Sequence, residues 1–297
     1  MIIKGIGINA HPEHVGGEVD RLKQDLKCFQ EIGYDYVEIP VDIIDVIRYG
    51  KLDPRQMQHL KALLSSFKLK YTVHAPLGLD LRDAENLEVQ RELFRSCLDF
   101  TAEIGANIFV YHYGQKTPNS NLEQALYEGM LEAADYAEYK GIEICVENIE
   151  IDTVQNVVQF IEKINRNNVG MTFDFGHAYL ASVRFGFNFL ESVKLAKPYI
   201  RHIHVHDNFG KFEERRLMGY EQYKLIPYRK LLAVGRGDLH LPPGWGQIPL
   251  DEALELLEDY DGIFMLEYHF HRYRPQAYEI FATAKTYVER HFSKQKA

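Results

Sequence analysis

Eight short apolar runs alternate with eight stretches of helical spacing along this chain, and no shift in composition interrupts the series. Strands are expected near 2–8, 34–40, 69–74, 107–112, 142–147, 169–174, 200–206 and 262–268. Helices are expected over 18–33, 54–67, 85–104, 120–139 and 152–165, in the material running to about 197, and over 249–259 and 274–292. In the first of these, Val19, Leu22, Leu26, Phe29 and Ile32 recur at threes and fours. Asp53 followed by Pro54 is a good start for the second. The alternation predicts an α/β fold, a single (β/α)8 TIM barrel over 1–297, with a long insertion after strand seven (207–248) at the C-terminal face. A doubly wound open sheet is the alternative, but GIGINA offers Gly5 and Gly7 without a third glycine or an immediate helix.

At 297 residues and 46% hydrophobic, the chain is able to bury a large core as one barrel. It has no apolar run near the length of a membrane span, so no membrane is expected. The N-terminal MIIKGIGINAHPEH lacks a secretory layout. Cys28, Cys97 and Cys145 are widely spaced in apolar segments, as reduced core thiols of a cytoplasmic protein would be. The net charge of −9 argues against a nucleic-acid partner, which needs a basic surface.

Polar residues stand at or just past the ends of six of the apolar runs: His74, His112, Glu147, Asp174 with His177, His204 and Glu267. Asp238 and His240 follow in the loop GDLHLPPGWG. All nine are side chains that bind divalent metals through nitrogen or oxygen. In a parallel barrel the loops after every strand gather at one face, and alternation along each strand sets which side chains point inward. His202, His204 and His206 share the inward face of strand seven, while Ile203 and Val205 face the helices. Cys145 points with Glu147, and Thr172 with Asp174. Carboxylates converging in a partly dry cavity repel one another unless a cation compensates, which points to a divalent metal. His202, His206 and His269 read as supporting polar groups, and Glu143 and Glu150 as solvated.

HAP at 74–76, VENIE at 146–150, FDFGHA at 173–178, HVHD at 204–207, DLHLPPGWGQI at 238–248 and LEYH at 266–269 together resemble the xylose isomerase-like TIM-barrel superfamily. The resemblance covers nearly the whole chain. It implies a metal-dependent sugar or sugar-phosphate isomerase or epimerase, acting by proton transfer through a metal-stabilised enediolate. In that branch one metal (Zn, Mn, Mg or Co) is held by the equivalents of Glu147, Asp174, His204 and Glu267. The two glutamates are the catalytic bases, and His177 touches the substrate. No nucleotide cofactor is implied; the partner is a small sugar or polyol. A second branch, endonuclease IV, uses all nine positions to bind three zinc ions and cut DNA at abasic sites, so a tri-zinc phosphodiesterase is an alternative. An inosose dehydratase-like lyase is another. His74, His112, His177, Asp238 and His240 are therefore candidates for additional metal or for substrate. The acidic charge, APLGLDLRD after His74 and HLPPGWGQI favour the small-molecule branch. Dimers and tetramers are common in such families, which admits a homo-oligomer.

Between Lys211 and Arg236 seven basic residues stand against three acidic ones, with Tyr220, Tyr223 and Tyr228 among them. This stretch is expected to be a solvated loop, a subunit contact or a lid whose cations, Arg215 and Arg216 first, bind a substrate anion.

Overall fold

The strand–helix alternation closes into a barrel. The structure, a computed structural model, describes residues 3–292; positions 1, 2 and 293–297 of the expected 1–297 domain lie outside the described residues. Eight strands form the barrel: β1 (Gly5–Asn9), β2 (Tyr36–Pro40), β3 (Lys70–His74), β4 (Ile108–His112), β5 (Glu143–Glu147), β6 (Val169–Asp174), β7 (Ile200–Val205) and β8 (Ile263–Leu266). Each pairs in parallel with its neighbours in chain order, and β1 closes the ring on β8. A small antiparallel hairpin, Ile47–Arg48 with Lys51–Leu52, precedes the second helix.

The helices α1 (Val19–Ile32), α2 (Pro54–Leu64), α3 (Leu87–Glu103), α4 (Ser120–Lys140) and α5 (Val154–Ile164) each follow one strand. Asp53 caps α2 by accepting from the backbone of Arg55 and Gln56, with Pro54 in the first turn, as its sequence predicts. After β6 come two helices, α6 (Phe175–Phe185) and α7 (Phe189–Ala196), divided at Gly186 and restarted by the Asn188 cap. None of the described helices is long and apolar enough to cross a membrane.

Side-chain alternation sorts two apolar layers. Ile108, Val110, Cys145, Ile263 and Met265 plug the barrel interior below the rim, with Tyr36 packed on them. Ile203, Val205, Phe109, Phe173 and Phe264 face outward into the larger core shared with the helices. A register shift between Met171 and Thr172 leaves Arg201 as an extra residue on β7, a bulge that sets how His202 and His204 oppose β6.

The connection from β7 to β8 is not the irregular stretch expected over 207–248. It contains a 3-10 turn at Glu214–Met218, a short helix at Tyr220–Lys224 and α8 (Tyr228–Val234); α9 (Leu250–Glu255) follows, and α10 (Ala277–His291) ends the described chain. Helices of one or two turns are too short to show a period. Ile226, Leu231, Leu239 and Leu241 give this connection a core of its own. Tyr223 Oη accepts from the Asp238 amide at 3.0 Å, and Tyr228 Oη donates to the Leu239 carbonyl at 2.9 Å. These tyrosines hold in place the segment that carries Asp238 and His240.

Candidate metal centre

All nine strand-end and loop candidates fall into three groups at the barrel mouth, His177 reaching its group from the start of α6. Glu147, Asp174, His204 and Glu267 form one group, each offering a ligand atom within 4.8 Å of the others. His74, His112 and Glu147 form a second, and His177, Asp238 and His240 lie together with His206 in a third.

Local structure explains the Asp-x-x-His spacing. Asp174 ends β6 and caps α6, accepting from the His177 amide at 2.6 Å. The cap turns the chain so that His177, one helical turn on, faces the same cavity. Gly176 lies between them because His206 passes close by: a Cβ there would sit 1.9 Å from the imidazole Cε1. Asn148 bridges β5 to β6, accepting from the Asp174 amide and donating to its carbonyl, both at 3.0 Å.

His204 Nδ1 lies 3.3 Å from Glu147 Oε1, 3.1 Å from Glu267 Oε2 and 3.9 Å from Asp174 Oδ2. One imidazole nitrogen among three carboxylates, Glu147 and Asp174 fully buried, requires positive charge, from a proton or from a metal. A divalent cation fits these residues. Glu267 Oε2, Asp238 Oδ1 and His206 Nδ1 are buried without hydrogen-bond partners among the described residues, so ligand atoms stand ready at the cavity. Burial would raise the Glu147 carboxyl pKa, but the His204 and His112 charges hold it well below the ordinary range. Burial likewise opposes the charge on His74 and His240. The Glu147 hydrogen bond and charge nevertheless push His74 up to about 9. Asp238 pushes His240 up to about 10. Protons on the imidazoles thus balance the carboxylates, and a divalent metal at this place would displace them.

Of the two expected anion-binding cations, Arg216 is not free. Arg215 is exposed. Arg216 pairs with Glu150 and lies over the Tyr220 ring. Glu150, expected to be solvated, is buried beneath that pair. His202 also has a specific partner, Glu38, at 3.2 Å.

Glu38 is the residue that the strand-end pattern misses. It sits mid-strand on β2, fully buried, and accepts from Thr72 Oγ1 at 3.0 Å and from His202. Its Oε1 lies 2.9 Å from His204 Nε2, a close ionic contact, with Nδ1 of the same ring turned to the Glu147 and Glu267 carboxylates. Its inward parity with Tyr36 was the available signal. A carboxylate behind a ligating imidazole orients the ring and raises its basicity. Glu38→Gln is therefore expected to weaken zinc binding about 10- to 100-fold. Competition against a chromogenic chelator reads this directly, and wild-type affinity in the variant would remove Glu38 from the role.

Residues 27–287 match the model of the family described as xylose isomerase-like TIM barrel. Inosose isomerase from Bacillus velezensis is 26% identical over 209 residues, covering 65% of this chain and 70% of the relative. Two solved structures share the fold. One, a D-tagatose 3-epimerase-like protein, superposes with a TM-score of 0.71 at 23% identity, covering 96% of this chain and 98% of the other. The second, IOLI protein with a binding zinc atom, gives 0.67 at 19% identity, covering 98% and 100%.

Proposed function

We propose, because this chain belongs to the xylose isomerase-like TIM-barrel family, that it is a metal-dependent isomerase or epimerase of a small sugar, sugar phosphate or polyol ketone. One observation carries the reading: Glu147, Asp174, His204 and Glu267 present ligand atoms within 4.8 Å of one another at the barrel mouth. The names of the inosose isomerase relative and of the epimerase-like structure point to the same reaction class. A set of three carboxylates and one imidazole suits Mn, Mg, Co or Zn, and such a cation, when bound, polarises a substrate carbonyl.

The chain's own residues then move the proton. Glu147 ends β5 and Glu267 follows β8, with β6 and β7 between them in the ring, so the two carboxylates reach the cavity from different sides. One takes the proton from the carbon next to the carbonyl. The other returns a proton to the opposite face of that carbon, giving the epimer, or to its neighbour, giving the isomer. His74 Nε2 and His112 Nε2, at 3.2 and 3.3 Å from Glu147 Oε2, orient one carboxylate. Asn9 Nδ2 donates to Glu267 Oε1 at 3.1 Å and orients the other.

The test is deuterium uptake from heavy water into a panel of ketoses, ketose phosphates and inososes. At least one substrate should exchange at the carbon beside its carbonyl, and Glu267→Gln should slow that exchange about 10³-fold. The group His74–His112–Glu147 favours a second reading, a multi-zinc phosphodiesterase. Cleavage of an abasic-site duplex with no exchange in the panel would establish that reading and overturn the first.

A further inference from the structure

An arginine lies buried beside the barrel mouth, on the stretch APLGLDLRD that follows β3. We propose that this residue, Arg82, is a positioning residue: it sets His112 against Glu147 by clamping Tyr113, the next residue in the chain. Its effect on rate rests on the isomerase or epimerase reading, whereas the clamp itself is a property of the fold.

A buried guanidinium needs acceptors for its hydrogens. Arg82 Nε and Nη2 donate to Glu123 Oε1 at 2.8 Å and Oε2 at 3.2 Å. Two parallel bonds of this kind are the geometry in which arginine holds a carboxylate most firmly. Arg82 Nη1 donates to the Tyr113 carbonyl at 2.5 Å, and the guanidinium lies over the Tyr113 ring, 4.8 Å from its centroid. Glu123 stands in the first turn of α4 and also accepts from the Thr117 amide at 2.9 Å. One side chain thus ties the loop after β3 to the end of β4 and to the start of α4. Gly114 leaves room for it, with a left-handed φ of 73°, and a Cβ there would lie 3.3 Å from Arg82 Nη1.

Tyr113 is held through both of its peptide groups. Its amide donates to the Glu147 carbonyl at 3.0 Å, and its carbonyl accepts from Arg82. Successive side chains leave a strand on opposite faces. Tyr113 therefore packs outward, its ring 5.3 Å from that of Phe160, while His112 enters the cavity. There His112 Nε2 lies 3.3 Å from Glu147 Oε2, and its ring meets His74 edge-on with centroids 4.7 Å apart. The His112 side chain is 28% exposed, against 0% for Glu147, so packing alone does not fix it. The backbone that carries it does, and Arg82 holds that backbone.

All the side-chain hydrogen bonds of Arg82 go to Glu123 and Tyr113, so it acts on the site only through them. A buried ion pair adds little net stability over apolar packing of the same volume, and what the fork supplies here is a fixed position. Lysine gathers its donors on one nitrogen and cannot keep the two-point grip on Glu123 while reaching the Tyr113 carbonyl. Misplacing a group at a reacting centre by about 1 Å costs up to about 10²-fold in rate.

The experiment uses the intact protein with Arg82→Met and Arg82→Lys, each alone and combined with His112→Gln. Deuterium exchange into the fastest ketone of the panel gives kcat and KM. Arg82→Met should lower kcat about 10²-fold and Arg82→Lys about 10-fold, with KM unchanged. Added to His112→Gln, neither should lower it further, because the residue they act through is gone. Losses that add in full to that of His112→Gln would show a general loosening of the fold and overturn the proposal. A second readout needs no turnover. The nuclear Overhauser contact between the His74 and His112 rings should be present in wild type and weakened in both Arg82 variants. Arg82→Lys is the milder variant should Arg82→Met fail to fold, and an unchanged ring contact in Arg82→Lys overturns the clamp at any rate of exchange. If no ketone exchanges, the isomerase reading alone fails, and the ring contact decides the clamp by itself.

Discussion

Under the proposed function, Glu147→Gln is expected to abolish activity, with deuterium exchange falling about 10⁴-fold, and to empty the proposed metal site. The substitution keeps the shape of the side chain and removes its charge. That charge is what the surroundings are built on. His74 Nε2 lies 3.2 Å from it, His112 Nε2 3.3 Å, His204 Nδ1 3.3 Å and His177 Nδ1 3.5 Å. A glutamine amide can accept from one of these and presents hydrogens to the others. Loss of the carboxylate also removes the main support for the charged form of His74, whose pKa is about 9 because the Glu147 hydrogen bond and charge overcome burial. In the variant, burial wins and the His74 pKa falls. The raised pKa stabilises the folded state below the unfolded value near 6.5, and that contribution is lost as pH rises through about 9. Wild type should therefore lose stability between those two values, and Glu147→Gln should lose less of it. Metal content, exchange rate and the His74 titration by NMR read the three consequences separately. A variant that exchanges deuterium at the wild-type rate would remove Glu147 from both roles.

Much of this site was legible in the sequence because strands alternate strictly. His202 and His204 follow a two-residue period, and the same period carries Cys145 to Glu147 and Thr172 to Asp174, so a short polar series shows which cavity it enters. The barrel was legible for a similar reason: strands of four to six residues alternate with helices, most of them long enough to show a period. Glu38 escaped because it lies in the middle of YVEIP, where strand-end reasoning does not look. Asn148 escaped because its work, tying β5 to the start of α6, is a backbone contact 26 residues away. The Arg216–Glu150 pair spans 66 residues and leaves no local trace, so a cation that reads as free for an anion is already engaged. His206 read as a supporting group because parity gives a direction and not a partner. Its partner, Asp174, lies 32 residues away in the chain.

Asp207→Ala is expected to cost about 4 kcal/mol of stability, seen as a fall in Tm of roughly 8–12 °C. Asp207 is the last residue of HVHD, fully buried, and it joins two motifs that are far apart in the chain. Its Oδ1 accepts from the amides of Asn208 at 2.8 Å and Ile248 at 3.1 Å. Its Oδ2 accepts from Gly244 at 3.0 Å and Gly246 at 2.8 Å. Its backbone exchanges both hydrogen bonds with Leu241, at 2.8 and 2.9 Å. PPGWGQI is therefore folded around one carboxylate, and Gly246 is required there because a Cβ would lie 2.3 Å from the Asn208 carbonyl and from Asp207 Oδ1. Burial raises the Asp207 pKa against the four amides, which favour the charged form. Deleting the side chain leaves the Asn208 and Ile248 amides buried and unpaired, and takes the partner from the Gly244 and Gly246 amides. Asp207→Asn discriminates this account from a simple packing role. An asparagine has one acceptor oxygen and one donor nitrogen, so two of the four amides would face its NH2 group whichever way it turns. The asparagine variant should thus lose nearly as much stability as the alanine variant, despite its nearly identical shape. Wild-type melting of Asp207→Asn, measured with Asp207→Ala alongside, would show that the loop is held by Leu241 and its neighbours instead. The segment at stake runs directly from Asp238 and His240, so loosening it reaches the metal-binding rim through the backbone and not through any ligand.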